Sequence, residues 1–290
     1  MSRLALTGAT GFVGGHVLAR LLDEGHEVSV LARPGPRPQP WPGQVHVVTG
    51  DLSDPQPDLY RRLGCPDSLI HLAWEGLPHY RASRHFQEEL PRQYRFLEAL
   101  VRQGLRHLVV SGTCFEYGLQ CGSLAEDLPT EPATAYGHAK DALRRQLAFL
   151  QREQPFGLSW ARLFYLHGPG QARGSLYSQL EAALAAGQAS FPMSSGEQLR
   201  DFLPVAEVAR RLVLLARLGR DTGPVNLCSG APVSVRALVE GWLRERGASI
   251  TLDRGRYPLP DHEPLAFWGD GSRFAALEAA APAPTPGGTA

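Results

Sequence analysis

Lysine is nearly missing from this sequence. Of its 29 basic side chains, all but Lys140 are arginines. An excess of either charge is missing too: 29 acidic residues balance the 29 basic ones, so the formal net charge is zero. That balance gives no reason to expect nucleic acid or an anionic membrane as a partner, although a local anion site fits within a neutral total. Cysteine is sparse, the four present being Cys65, Cys114, Cys121 and Cys228. No Cys-x-x-Cys occurs and no histidine cluster lies beside any of them. A disulfide framework and a zinc site are therefore not expected, and no metal ligands are assigned. The reading is of buried, reduced thiols in a cytoplasmic protein. No apolar run reaches the roughly 20 residues that a membrane helix needs. A secretory leader is not expected either. Arg3-Leu4-Ala5-Leu6-Thr7 runs straight into a strand pattern, with no charged region and longer apolar core ahead of it.

What is present is a chain of 290 residues, 43% of them hydrophobic, enough for one large α/β domain and a smaller lobe. Strand and helix patterns alternate through its first half. Strands are predicted at Leu4–Thr7, Glu27–Ala32, Val45–Thr49, Ser68–Leu72, His107–Val110 and Leu158–Leu163. Helices are predicted at Phe12–Glu24, stopped by Gly25, at Leu90–Gln103, closed by Gly104, and at Ala135–Gln154. Alternation of this kind implies a parallel sheet with helices on both faces. After Gly168 the pattern loosens. Helices are expected at Leu176–Ala186, Val205–Leu218 and Val233–Arg246, in a lobe lying over the sheet's carboxyl edge. Pro34–Pro42 reads as a loop and Ala279–Ala290 as a mobile tail. The domain reading is residues 1–167, with contributions from the later chain, then a lobe over 168–278.

The first strand ends in Thr7-Gly8-Ala9-Thr10-Gly11-Phe12-Val13-Gly14. Three glycines at a strand-to-helix turn let backbone approach a pyrophosphate, and the helix N-terminus offers free N–H groups. A glycine turn used for tight packing alone is the bland alternative. The spacing Gly-x-x-Gly-x-x-Gly resembles the extended branch of the short-chain dehydrogenases/reductases, the epimerase/dehydratase family. Further matches follow in chain order: Gly50-Asp51-Leu52, His71-Leu72-Ala73, Arg162 to Gly170, Arg200-Asp201-Phe202 and Asn226 to Gly230. They cover residues 1 to about 245. The resemblance implies a Rossmann-type doubly wound parallel sheet with a smaller C-terminal substrate-binding lobe. It also implies that Gly8, Thr10, Gly11, Phe12, Val13, Gly14, Asp51, Leu52, Leu72, Ala73 and Leu163 hold a dinucleotide.

Tyr136 and Lys140 open the long helix four residues apart, hence on one face. A free tyrosine is a poor base at neutral pH, and a nearby ammonium favours its phenolate. The pair could then move a proton while hydride passes to or from a nicotinamide, the lysine also holding the nicotinamide ribose. In a chain otherwise without lysine, one so placed points to chemistry that arginine's larger fork cannot replace. The family's catalytic Ser or Thr stands four before the Tyr of a Tyr-Gly pair. Counting back from Tyr117 gives Thr113, with Ser111 the alternative. Two further absences narrow the reaction. Dehydratases of the family carry Asp-Glu just after that Thr, where this chain has Cys114 and Phe115. Fucose-type epimerase-reductases use an aligned Cys, and Cys114 is out of register. Glu89 stands where the family has a catalytic Asn.

The second strand ends without the acidic residue that accepts the ribose diol of NAD. Arg33 stands there instead, with Arg37 near by, which favours NADP and leaves NAD open; a solvated loop arginine is the plainer reading. Trp74 could wall a sugar pocket or belong to the core. Phe115 and Tyr165 are further candidate substrate contacts, and Arg173 and Arg200 are candidates for gripping a pyrophosphate. The resemblance implies a nucleotide-activated sugar and is strongest to reductases of 4-keto-6-deoxyhexoses. A nucleotide-sugar 4-epimerase is the nearest alternative, and a non-catalytic dinucleotide sensor of the same fold the second. A homodimer is left open.

Overall fold

The computed structural model describes residues 2–35, 41–259 and 263–282, so Arg37 and residues 283–290 of the tail lie outside the described residues. The first half runs β1 (Arg3–Thr7), α1 (Phe12–Asp23), β2 (Glu27–Ala32), β3 (Val45–Thr49), α2 (Leu59–Arg62), β4 (Ser68–His71), α3 (Leu90–Arg102) and β5 (His107–Thr113). The strand β6 (Gly122–Leu124), α4 (Ala135–Glu153), β7 (Gly157–Leu163) and β8 (Tyr165–His167) follow. Then come α5 (Leu176–Ala185), β9 (Ser190–Pro192), β10 (Leu199–Arg200), β11 (Phe202–Pro204), α6 (Val205–Leu218) and β12 (Gly223–Leu227). The chain finishes with β13 (Val233–Ser234), α7 (Val235–Glu245), β14 (Thr251–Asp253), β15 (Phe267–Gly269) and α8 (Ser272–Ala279).

Seven strands form one parallel sheet in the order β12-β7-β5-β4-β1-β2-β3. Alternation of side chains along each strand sorts its apolar residues onto two faces. Leu4, Leu6, Val28, Val30, Ile70 and Val109 pack with Val17 and Leu21 of α1 and Val208 and Leu212 of α6. Ala5, Leu31, Leu69, Leu108, Val110 and Trp160 pack on the other face against Phe96 and Leu100 of α3 and Leu143 and Leu147 of α4. Helices cover both faces, and the central strands β1, β4, β5 and β7 are buried almost throughout. A separate core, Leu180, Phe191, Met193, Val239 and Trp242, holds the smaller lobe together. Among the described residues no helix is long and apolar enough to cross a membrane.

The structure amends several sequence expectations. Strand β5 runs three residues beyond Val110, to Thr113. Val233 and Ser234 are strand rather than helix, because Ser234 caps α7 by accepting from Ala237 N at 3.1 Å. A turn of π-helix, His85–Glu89, precedes α3. Strand β12 returns from the later chain to complete the sheet. The thiols divide: Cys114 and Cys228 are buried, but Cys121 is exposed and Cys65 half-buried.

His71 closes β4 with its ring buried. Gln93 turns its NH₂ to Glu89 at 3.0 Å, so its carbonyl accepts from His71 Nε2 at 2.7 Å. His71 Nδ1 therefore accepts from the Thr7 hydroxyl at 2.9 Å, tying the ends of β1 and β4. Burial drives the His71 pKa from 6.5 down to about 3 and that of His107 to about 4. Between those values and pH 6.5 the unfolded chain binds protons that the folded chain refuses, so this contribution to stability is lost as pH falls. Urea unfolding followed by circular dichroism should therefore show a midpoint that drops from pH 7 to pH 5. His71→Asn should flatten that dependence, and an equally steep profile in the variant would contradict this account.

Candidate active site

The carboxyl ends of β1, β2, β3, β4, β5 and β7 carry the residues singled out by the sequence, on one edge of the sheet. Gly8 leaves β1 with φ of +75°, and a Cβ there would lie 2.8 Å from Ala73 N, so the β4 loop packs directly on the turn. A Cβ on Gly14 would collide with the Gly8 carbonyl. Gly11 is the N-cap of α1 and offers no side-chain cap, which leaves the first N–H groups at Phe12 and Val13 open to an anion. Thr10 is exposed at the tip of the turn. Asp51 turns back on Ser53 N at 2.7 Å, which holds its carboxyl below the usual range. Leu52 packs on the core beneath, and Leu163 ends β7 beside Leu227. The bare glycines and uncapped helix start suit the pyrophosphate of a dinucleotide.

Thr134 caps α4 by accepting from Gly137 N at 3.0 Å, and Tyr136 N donates to Tyr80 O at 2.9 Å. These bonds set Tyr136 in the first turn, with Lys140 one turn on. Both are buried, at 8% and 1% exposure. Lys140 Nζ donates to Ser111 O at 2.7 Å and lies 4.1 Å from the Trp74 ring centre. Trp74 thus both packs against the core beneath the sheet and walls the Tyr136–Lys140 pair. Its indole N–H donates to His85 Nδ1 at 3.1 Å, and its ring meets Tyr136 edge-on. Tyr80 and Phe115 complete an aromatic surround, their rings 5.7 and 6.5 Å from that of Tyr136.

The two hydroxyl candidates separate. The Thr113 side chain faces Tyr136 and opposes the rise of its pKa. Ser111 instead serves Lys140, its hydroxyl donating to His71 O at 3.4 Å. The lysine is not the main influence on the tyrosine. Burial dominates and pushes the Tyr136 hydroxyl above its ordinary value of 10. Burial also pulls Lys140 from 10.5 to about 7, against Glu116 and Glu89. Glu89 turns to Arg92, Gln93 and the Glu75 amide, so it does not meet the reacting pair.

In the smaller lobe, a cavity of about 400 Å³ is lined by Tyr165, Tyr177, Met193, Arg200, Trp242 and Glu263. Arg200 is buried and already engaged: Glu263 Oε2 lies 2.9 Å away, and Nη1 donates to two backbone carbonyls. Arg173 is exposed on the loop before α5, outside the lining of this cavity. Asp201, between Arg200 and Phe202, accepts from Ser229 N, Gly230 N and the Ser229 hydroxyl, so it fixes the Asn226–Gly230 segment.

Sequence reasoning missed Glu116. This carboxylate is wholly buried and accepts from Thr113 N at 2.8 Å, Trp160 Nε1 at 2.9 Å and Arg162 Nε at 2.8 Å. A polar residue inside an apolar strand-to-turn segment was the available signal. Arg33 is also not free: Nη1 lies 2.6 Å from Glu75 Oε1.

Two variants test this site. Glu116→Gln leaves Arg162 buried without its counter-charge, and should cost about 3–5 kcal/mol in denaturant unfolding. A loss below 1 kcal/mol would contradict the role given to the pair. Lys140→Met removes a cation whose pKa falls on folding. Between pH 7 and 10.5 the unfolded chain holds the proton that the folded chain has released, so stability contributed there rises with pH. The variant should unfold at a higher temperature than wild type at pH 7 and lose that rise. A lower melting temperature with an unchanged slope would contradict it.

The model of the NAD dependent epimerase/dehydratase family matches residues 4–228. The chain is 28% identical over 271 residues to dTDP-6-deoxy-L-talose 4-dehydrogenase (NAD(+)) of Aggregatibacter actinomycetemcomitans, covering 92% of this chain and 98% of the relative. It is 32% identical over 272 residues to dTDP-6-deoxy-L-talose 4-dehydrogenase (NAD(P)(+)) of Kitasatospora kifunensis, covering 90% and 83%. Among solved structures, MoeE5 in complex with UDP-glucose and NAD superposes with a TM-score of 0.77 at 29% identity, covering 94% of this chain and 91% of that one. The chain belongs to the NAD dependent epimerase/dehydratase family, the extended branch of the short-chain dehydrogenases/reductases, and is an oxidoreductase-type enzyme of that family.

Proposed function

We propose that this enzyme reduces the 4-keto group of a nucleotide-linked 6-deoxyhexose, taking NADPH in preference to NADH. The observation that carries the proposal is the composition of the edge around Tyr136. Tyr136, Lys140 and Thr113 suffice to move one proton beside one hydride, which the dinucleotide supplies when bound. Dehydration needs an added acid and base after Thr113, and Cys114 and Phe115 offer none. The Cys114 thiol is buried, and burial pushes its pKa well up, so it does not serve as a base.

In the reductive direction Tyr136 is the acid. Burial keeps the Tyr136 hydroxyl protonated, the form that reduction needs at a carbonyl becoming an alkoxide. Thr113 would donate to the same oxygen, and Lys140 would meet the phenolate left behind. Trp74, Tyr80 and Phe115 give this pocket an apolar wall, which suits the methyl of a 6-deoxy sugar better than a hydroxymethyl group. The lobe cavity, with Tyr165, Tyr177 and Trp242 in its lining, suits the nucleotide. Arg33, in place of an acidic residue after β2, is the reason to favour NADPH. The names of the two talose dehydrogenases support the same carbon and sugar class, written in the oxidative direction. A 4-epimerase needs no further residues, but Tyr165 stands where such enzymes often hold substrate with Asn.

Protein mixed with NADPH and a nucleotide-linked 4-keto-6-deoxyhexose should consume NADPH in step with formation of the 4-hydroxy sugar. Tyr136→Phe should cut turnover about 100- to 10,000-fold while leaving dinucleotide affinity near wild type. Interconversion of two 4-hydroxy sugars without net loss of NADPH would overturn the proposal in favour of the epimerase.

A further inference from the structure

The sheet order sets β2 and β4 on either side of β1. Arg33 follows β2 and Glu75 follows β4, and their side chains meet at 2.6 Å. The ion pair therefore joins the two strands that flank β1, at the carboxyl edge where the glycine turn begins. In the dinucleotide reading, which this inference rests on, the adenosine ribose lies at the end of β2. Its 2′ position carries a hydroxyl in one cofactor and a phosphate in the other.

From these positions we infer that Glu75 sets the cofactor preference, by competing with a 2′-phosphate for Arg33. Three features support this. The first is that Arg33 is accessible, with 67% of its side chain exposed, so a phosphate can reach the guanidinium face that Glu75 leaves open. The second is that Glu75 does not depend on Arg33. Arg92 lies 3.4 Å from the same carboxylate oxygen and Arg84 3.7 Å from the other. Arg33 can turn away and leave Glu75 paired, and an exposed ion pair of this kind holds only weakly. The third is that Glu75 is anchored. Its backbone N–H donates to Glu89 Oε2 at 3.3 Å, and Glu89 is itself buried against Arg92 and Gln93. The carboxylate thus stays close to any phosphate that binds Arg33 and repels it.

A ribose diol meets no such repulsion and needs no free guanidinium. NAD is accommodated with the Arg33–Glu75 pair closed, NADP with Arg33 drawn onto the phosphate. Glu75 thereby narrows, without reversing, the advantage that Arg33 alone would give NADP. Glu75 is a specificity residue in this account; it touches no reacting atom.

The test is fluorescence titration of wild type, Glu75→Gln, Arg33→Ala and the double variant with NADPH, NADH and 2′,5′-ADP. Glu75→Gln keeps an acceptor for Arg92 and Arg84 while removing the charge. It should tighten NADPH and 2′,5′-ADP about tenfold and leave NADH within about twofold. Arg33→Ala should weaken both phosphate-bearing ligands, and in the double variant the gain from Glu75→Gln should vanish. Unchanged NADPH affinity in Glu75→Gln would overturn the inference. So would weakened NADH, since Glu75 would then be holding the ribose itself. Wild type that binds neither dinucleotide would overturn the cofactor reading on which it rests, a result distinct from either.

Discussion

The Glu116 carboxylate, wholly buried where β5 turns toward β6, is the charge around which the edge beside Tyr136 is assembled. It receives the Thr113 amide, the Trp160 indole and the Arg162 guanidinium. Arg162 in turn donates to the Tyr117 hydroxyl at 2.8 Å, and Tyr117 donates to Asn226 on β12 at 2.8 Å. Asn226 reaches on to Leu124 O in β6 at 2.7 Å. One carboxylate thus links β5, β7, β12 and β6. A buried charge is tolerated only when every donor around it is placed, so the network admits few alternative arrangements. Gly112 belongs to the same constraint. A Cβ there would collide with the Trp160 indole nitrogen and lie 2.6 Å from Glu116 Oε1.

What this rigidity holds in place is costly in itself. Lys140 and Tyr136 are both buried, and burial moves each toward its neutral form. Keeping both groups buried comes at the expense of stability that an apolar pair would have given. The Trp74 ring face and the Ser111 carbonyl offset part of the cost of burying the ammonium. Functional sites commonly carry such a penalty and lean on rigid surroundings to bear it.

The dinucleotide edge is built differently. Around the glycine turn it offers bare backbone and an uncapped helix start. Beyond β2 it offers the exposed Arg33, paired with the half-buried Glu75, which Arg84 and Arg92 also approach. Tyr136 and Lys140 are fixed by burial, while the Arg33 side chain is free to exchange partners.

Local chemistry was legible in the sequence. The glycine turn needs only adjacent residues, and Tyr136 and Lys140 need only one helical repeat. The first six sheet strands were readable from their clustered apolar residues, even in edge strand β3, where only Val48 is buried. The lone lysine marked its own importance. What depended on contacts across the chain was not legible. β12 joins the sheet from residue 223 onward. Short strands such as β8 and β11 exist because they pair with each other, and carry no periodic signal of their own. The sequence put Thr113 first, with Ser111 the alternative, and in the folded chain Thr113 faces Tyr136 while Ser111 meets Lys140. It offered Arg33 and Arg200 as free cations, while the fold supplied each with a carboxylate, Glu75 from 42 residues away and Glu263 from 63. Charge in a sequence is a property of one residue. Its availability depends on the partner that tertiary structure brings to it.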